Sequence, residues 1–350
     1  MDVVSNDERR LVERDPCPTR IACILAVVDF ARSLDATLRR AALLAAEHRA
    51  QLTLLHVVDP AGFRPLREWL GRPADVELKL GQARATLDRL AVELAGRHRL
   101  DARVELRVGE AQQEIVRAAQ RADLVVVGAK GANPLRELLL GTPAEGLLRT
   151  VRRPLLLVRR PARQFYRRAL VPLDFAACSG RALQWAARIA PRAGLQAFHA
   201  IDASLEMKLR AADVPEDVVV DHRARARQQA YGRLHALAAE HLGPDRVAGF
   251  GVRHGDAASL ILAEEGRIGA DLVVIGQDGH SALASFLLGS VAQRVLRGAR
   301  CDTLVVPRPS SPGRGTRRGE CAVAGSVLAD RWARHLEALR EEAGEEQAPR

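Results

Sequence analysis

Gly128-Ala129-Lys130-Gly131, a nine-residue interval and Gly141-Thr142 make up a G-x2-G-x9-G-[S/T] pattern. It returns as Gly276-Gln277-Asp278-Gly279, the same interval and Gly289-Ser290. Gly128 is as far from Gly276 as Gly141 is from Gly289. A single copy is what turn glycines and helix caps produce by chance; two in one register argue for a shared purpose. The chemistry such a loop suits is phosphate binding. Missing Cβ atoms let the backbone approach a phosphate and turn successive N–H groups toward it. Gly followed by Thr or Ser then opens a helix. There Thr142 or Ser290 can cap N–H groups or bond a phosphate oxygen, while the helix dipole favours the anion.

The pattern is not a Walker loop, since no Lys precedes Thr142 or Ser290, and it is not the G-x-G-x-x-G dinucleotide fingerprint. Other chemistry-bearing residues are sparse. His56 and His199 recur on apolar strands, which favours structural histidines at strand ends over general bases. Cys178 and Ser179 begin a helix, where packing is expected rather than an activated thiol. No Ser/His/Asp order, catalytic carboxylate pair or H-E-x-x-H is present. No catalytic residue is therefore assigned, and any hydrolysis is expected to be slow.

Each glycine loop follows a β-branched run, Ala122–Val127 or Ala270–Ile275, that reads as a buried parallel strand. The glycines thus fall at a strand's carboxyl end, where open α/β sheets bind ligands. The repeat extends upstream. Ile21–Asp29 matches Arg168–Asp174, and Gln51–Asp59 matches Leu195–Asp202, the latter pair sharing His-x-x-Asp at His56/Asp59 and His199/Asp202. Helices are expected over about 77–98 and 218–241, the first burying Leu87, Leu90, Val92 and Leu94. Third strands follow at Ala102–Val108 and Arg246–Val252, and final strands at Pro154–Val158 and Thr303–Val306. This alternation predicts an α/β chain of two doubly wound five-stranded parallel-sheet domains. The expected boundaries are an N-terminal extension over 1–19, domains over 20–161 and 162–309, and a tail over 310–350. The tail reads as a Pro/Gly/Arg-rich linker followed by an amphipathic helix at Val327–Leu339, which suits a protein partner or the body of the chain, with a frayed tail as the alternative.

The order strand-Asp, His-Val-Val-Asp, Ala-Asp-Leu-Val-Val-Val-Gly and G-x2-G-x9-G-[S/T] resembles the universal stress protein family, over about 20–161 and again over 166–309. The resemblance implies ATP or another adenine nucleotide, with or without Mg, in a crevice beside the first and fourth strands of each copy. It carries the nucleoside-side Asp onto Asp29 and Asp174, and the backbone contact to adenine onto Val57 and Ala200. Ala200 departs from the usual Val, a change that a backbone contact tolerates. The phosphate positions become Gly128, Gly131, Gly141 and Thr142 in one copy and Gly276, Gly279, Gly289 and Ser290 in the other. Lys130 would attract a triphosphate, whereas an ionised Asp278 would repel it by about 1–4 kcal/mol at close range. The first site is therefore expected to bind more tightly, unless a divalent cation bridges Asp278 to the phosphates. The family resemblance also implies an internal pseudo-dimer through the last strands; whether two tandem chains form a homodimer is left open by the sequence. Its function would be nucleotide-dependent stress adaptation. A nucleotide-independent interaction protein, with a protein or RNA partner, and a slow ATPase or small-nucleotide transferase are the alternatives.

Composition narrows the classes. The 350 residues are 47% hydrophobic and 27% charged, enough for two ordinary cores. No apolar run approaches the roughly 20 residues of a membrane span, and the charged N-terminus lacks a signal peptide's apolar core, so a cytoplasmic protein is expected. Five scattered cysteines show no metal spacing and are expected to be reduced. The net charge of +10 invites a nucleic-acid reading. The arginines are interspersed with acids and aromatics are only 3%, so a solvated basic surface is favoured over a nucleic-acid partner.

Overall fold

The computed structural model describes residues 20–30, 34–58, 73–129, 150–212, 214–243, 245–277 and 289–308. The tail over 310–350, with its expected linker and helix, lies outside them, as does the extension over 1–19. In chain order the first copy contains β1 (Cys23–Val27), α1 (Leu34–His48), β2 (Gln51–Val58), α2 (Pro73–His98), β3 (Ala102–Val108), α3 (Ala111–Ala119), β4 (Leu124–Gly128) and β5 (Leu155–Val158). The second contains β6 (Arg168–Pro172), α4 (Ser179–Ile189), β7 (Gly194–Ile201), α5 (Ser204–Ala211), α6 (Glu216–Leu242), β8 (Val247–His254), α7 (Ala257–Ile268), β9 (Leu272–Gly276), α8 (Ser290–Gly298) and β10 (Asp302–Val306).

The strands form one ten-stranded sheet ordered β3-β2-β1-β4-β5-β10-β9-β6-β7-β8. Within each copy every ladder is parallel, for example Ile24 beside Leu124 and Ala169 beside Leu272. Among the described residues the only antiparallel ladder joins the copies, with Leu155, Leu156 and Leu157 opposite Val305, Leu304 and Thr303. The two five-stranded sheets thus meet through their last strands, as the tandem reading implied.

The period-two alternation of the strands divides the core into two layers. Ile24, Ala26 and Val28 face a layer that includes Leu44, Leu87, Trp185 and Leu234, covered by α1, α2, α4 and α6. Leu25 and Val27 face the opposite layer with Ile115, Ile261 and Val295, covered by α3, α7 and α8. Burial on both faces is why these strands read as unbroken apolar runs. One helical expectation needs correction. Leu87 and Leu94 are buried, but Val92 is 74% exposed. At about 100° per residue Val92 turns some 200° from Leu90, away from the sheet.

The seam between copies also holds a buried polar knot. The Asp302 carboxylate accepts hydrogen bonds from Arg40 Nε at 2.9 Å, Tyr166 Oη at 2.8 Å and the Arg159 N–H at 2.9 Å. Arg40 also donates to the Gln164 carbonyl and lies 3.8 Å over the Tyr166 ring. Burial and the Asp302 charge push the Tyr166 hydroxyl pKa well above its ordinary value, so the phenol stays a donor.

Candidate functional site

In each copy the chain leaves the central strand toward one side first and the other side later. β1 is flanked by β2 and β4, and β6 by β7 and β9. Helices after β1 and β2 cover one face, while the helix after β3 covers the other. The reversal opens a crevice beyond the carboxyl ends of β1 and β4, and likewise beyond β6 and β9.

The predicted residues collect at these crevices wherever they fall among the described ones. Asp29 follows β1 and Gly128 ends β4; Asp174 follows β6 and Gly276 ends β9. Val57 and Ala200 lie near the ends of β2 and β7, their side chains packed into the core layer beneath α3 and α7. Gly289 and Ser290 begin α8. Lys130, Gly131, Gly141 and Thr142 of the first copy, and Asp278 and Gly279 of the second, lie outside the described residues. The site is thus followed furthest in the second copy.

There, Asp174 is exposed and held by its own turn. Its Oδ1 accepts from the Ala176 N–H at 3.0 Å and from Ser179 Oγ at 2.9 Å. Phe175, between them, has φ +60°, a conformation uncommon for a bulky side chain. Its ring lies against His199 with centroids 4.4 Å apart, and the Arg233 guanidinium sits 4.1 Å above it. The first copy repeats the ring pair, Phe30 against His56 at 4.3 Å.

Both histidines tie the second strand to the end of the first. His56 Nδ1 is 2.7 Å from the Val28 carbonyl, and His199 Nδ1 is 2.7 Å from the Leu173 carbonyl. A carbonyl only accepts, so Nδ1 carries the proton in each. Burial lowers the His199 pKa, partly opposed by that carbonyl, and keeps the ring neutral at pH 7. The His-x-x-Asp signature ends differently: Asp202 accepts from Ser204 N–H at 2.9 Å and Ser204 Oγ at 2.8 Å, starting α5. That short helix was not anticipated. Nor were Phe30 and Phe175, although the shared Asp-Phe-Ala in both copies was a usable signal.

Two glycines have structural reasons of their own. A Cβ on Gly276 would lie 3.0 Å from Cys178 Cβ, so the end of β9 runs close against the start of α4. Cys178 is buried there, in the packing role expected of it. Gly289 occupies the N-cap of α8, and no side chain caps that helix. Ser290 is instead the first helical residue and is exposed. Gly289 has no side chain, so the N-cap position itself offers no acceptor to the first-turn N–H groups of α8. Among the described residues no cluster of three or more His, Cys, Asp or Glu could hold a metal ion, and none of the helices is long and apolar enough to cross a membrane.

A tandem α/β protein with a switch-point crevice in each half, joined edge to edge through its last strands, is the class these features define. Matches to known proteins agree. The universal stress protein family matches twice, over residues 23–159 and 165–307. A universal stress protein of Mycolicibacterium smegmatis is 28% identical over 299 residues, covering 81% of this chain and 96% of that protein. One from Methanocaldococcus jannaschii is 28% identical over 158 residues, covering 43% of this chain and 87% of its own length. Among solved structures, a universal stress protein from Archaeoglobus fulgidus covers 83% of this chain and 98% of its own, with a TM-score of 0.59 and 19% identity. The chain belongs to the universal stress protein family.

Proposed function

We propose that this chain binds ATP or a related adenine nucleotide, with or without Mg, in its two crevices and acts in stress adaptation as a nucleotide-dependent sensor or adaptor. The observation that carries the reading is the make-up of the second crevice: Asp174 fixed by its turn, Gly276 at the strand end and the N-terminus of α8 at Gly289-Ser290. The carboxylate suits a ribose hydroxyl, and the helix end suits a phosphate. His199 stays neutral and tied to a carbonyl, which supports positioning over base catalysis. A nucleotide that favours one arrangement of the loops shifts the population that partners meet.

The test is to denature freshly purified protein and identify released nucleotide by chromatography and mass, then titrate Mg-ATP calorimetrically. One or two adenine nucleotides per chain are expected. Gly141→Glu should remove the tighter site and Gly289→Glu the weaker one, following the Lys130/Asp278 difference. No released nucleotide, together with no thermal shift on adding Mg-ATP, would sink the reading.

A further inference from the structure

β8 is the outer strand of the second copy, and among the described residues no strand pairs with its far side. The Gly255 N–H donates to the Ile201 carbonyl at 2.9 Å, which fixes the phase of the ladder. Gly251 and Arg253 turn their backbone groups toward β7, while Phe250, Val252 and His254 turn theirs outward. A cleft of about 400 Å³ lies along this edge. One wall is α6, with Arg223, Arg227 and Tyr231; the other is α7, with Arg267 and Glu264.

The cleft carries more cations than anions. Glu264, buried on α7, is the one carboxylate shared by Arg267, at 2.8 Å to Nε, and Arg253, at 3.4 Å. Arg223 is 4.0 Å from Glu206, which is already in contact with His254. Arg227 lies 5.7 Å from the Tyr231 ring and, among the described residues, has no carboxylate within ion-pair distance. On the equivalent edge of the first copy, Arg84, Arg107, Arg117 and Arg121 each have a carboxylate partner among the described residues. On β3, Glu105 pairs with Arg107 and Arg121, Glu114 pairs with Arg107 and Arg117, and Arg84 on α2 pairs with Asp88.

We propose that the β8 edge is a docking site for an acidic peptide of a partner protein, added in extended form as an eleventh strand. The open edge offers main-chain hydrogen bonds at every second residue, spaced about 6.6 Å apart. Arg223 and Arg227, one helical turn apart, receive carboxylates on one side of the peptide and Arg267 on the other. A small anion could use the arginines but not the strand edge. Arginines on an edge can also simply repel unwanted pairing, and the experiment separates these readings.

The probe is a capped, fluorescein-labelled peptide of repeating Glu-Glu-Val-Val, which turns carboxylates to both faces of the strand, followed by anisotropy on the full chain. Binding should weaken as salt rises. Arg223→Ala with Arg227→Ala, both on an exposed helix face, should weaken binding about tenfold. N-methylating every second peptide residue tests strand addition without altering the protein. Methylation in one register should abolish binding and in the other leave it. Equal binding of both methylated peptides, or full displacement by inorganic pyrophosphate or by a short single-stranded RNA at matching concentration, would overturn the proposal. So would arginine variants that self-associate while binding the peptide as before.

Discussion

Arg40 in the first copy and Trp185 in the second stand equally far past the shared Asp-Phe-Ala, yet one is a buried cation and the other a buried indole. Across the seam the same contrast recurs. Asp302 precedes Thr303, which pairs with Val273, whereas Pro154 precedes Leu155, which pairs with Val125. A dimer of identical chains has an isologous interface, so each contact occurs twice or not at all. Fusing the copies removes that constraint. One side of the seam can carry the Arg40–Asp302–Tyr166 knot while the matching positions hold Trp185 and Pro154. The antiparallel ladder of β5 and β10 is common to both sides; the knot is a single addition.

Removing the knot's anion gives the largest expected effect. Asp302→Ala leaves the Arg40 guanidinium and the Tyr166 hydroxyl buried without their acceptor, which should cost about 3–5 kcal/mol in urea unfolding. Trp185→Leu on the other side should behave as an ordinary core truncation, independent of Arg40 in a double-mutant cycle. A loss below about 1 kcal/mol for Asp302→Ala would show that the apolar ladder alone holds the seam.

The next effect falls at the second crevice. Gly276→Ala places a Cβ 3.0 Å from Cys178 Cβ, so β9 or the start of α4 must shift. A cost of about 1–3 kcal/mol is expected. Thermal unfolding measures it, and Cys178→Gly in the same chain should recover part of the loss. An unchanged melting temperature would leave phosphate approach as the sole reason for the glycine, making it the ligand-binding half of the motif and nothing more.

Much of this architecture was legible because it is local. Strands buried on both faces leave unbroken β-branched runs, and the glycine loops that follow them recur in register. Residues whose roles depend on distant partners were not legible. Arg40 and Asp302 meet across the full span of both copies, and nothing near either predicts the other. The β8 cleft draws its arginines from a strand and two helices on opposite faces of the sheet. Val92 differs for a simpler reason: it is an apolar residue inside an apolar stretch, yet its angle from Leu90 places it on the outer face. In the site, the turn around Asp174 follows from its sequence neighbours, while the tight approach of Gly276 to Cys178 requires two strands to be adjacent first.

The smallest effect distinguishes seam from crevice by pH. Burial lowers the pKa of His48, which ends α1 beside the backbone of Ile189 across the seam, with Arg188 and Arg20 adding to the shift and the Ile189 backbone opposing it. Burial likewise lowers His199 beside the crevice, reinforced by Arg233 and His254 and opposed by Asp174 and the Leu173 carbonyl. Both folded values lie below the unfolded 6.5. The unfolded chain therefore binds protons first, and stability is complete above that value and declines as pH falls through it toward the folded values. Glu47, raised mainly by burial, acts with the opposite sign, contributing less as pH rises through its own folded value. Urea midpoints measured between about pH 7.5 and about pH 5.5 should fall, and His48→Gln and His199→Gln should each flatten the slope. The two then part company with nucleotide present. His199 packs on Phe175 next to Asp174, so His199→Gln should alter the pH dependence of Mg-ATP affinity, whereas His48→Gln, remote from both crevices in sequence and contacts, should not. Equal effects of the two variants on nucleotide affinity would mean that seam and crevice titrate as one unit.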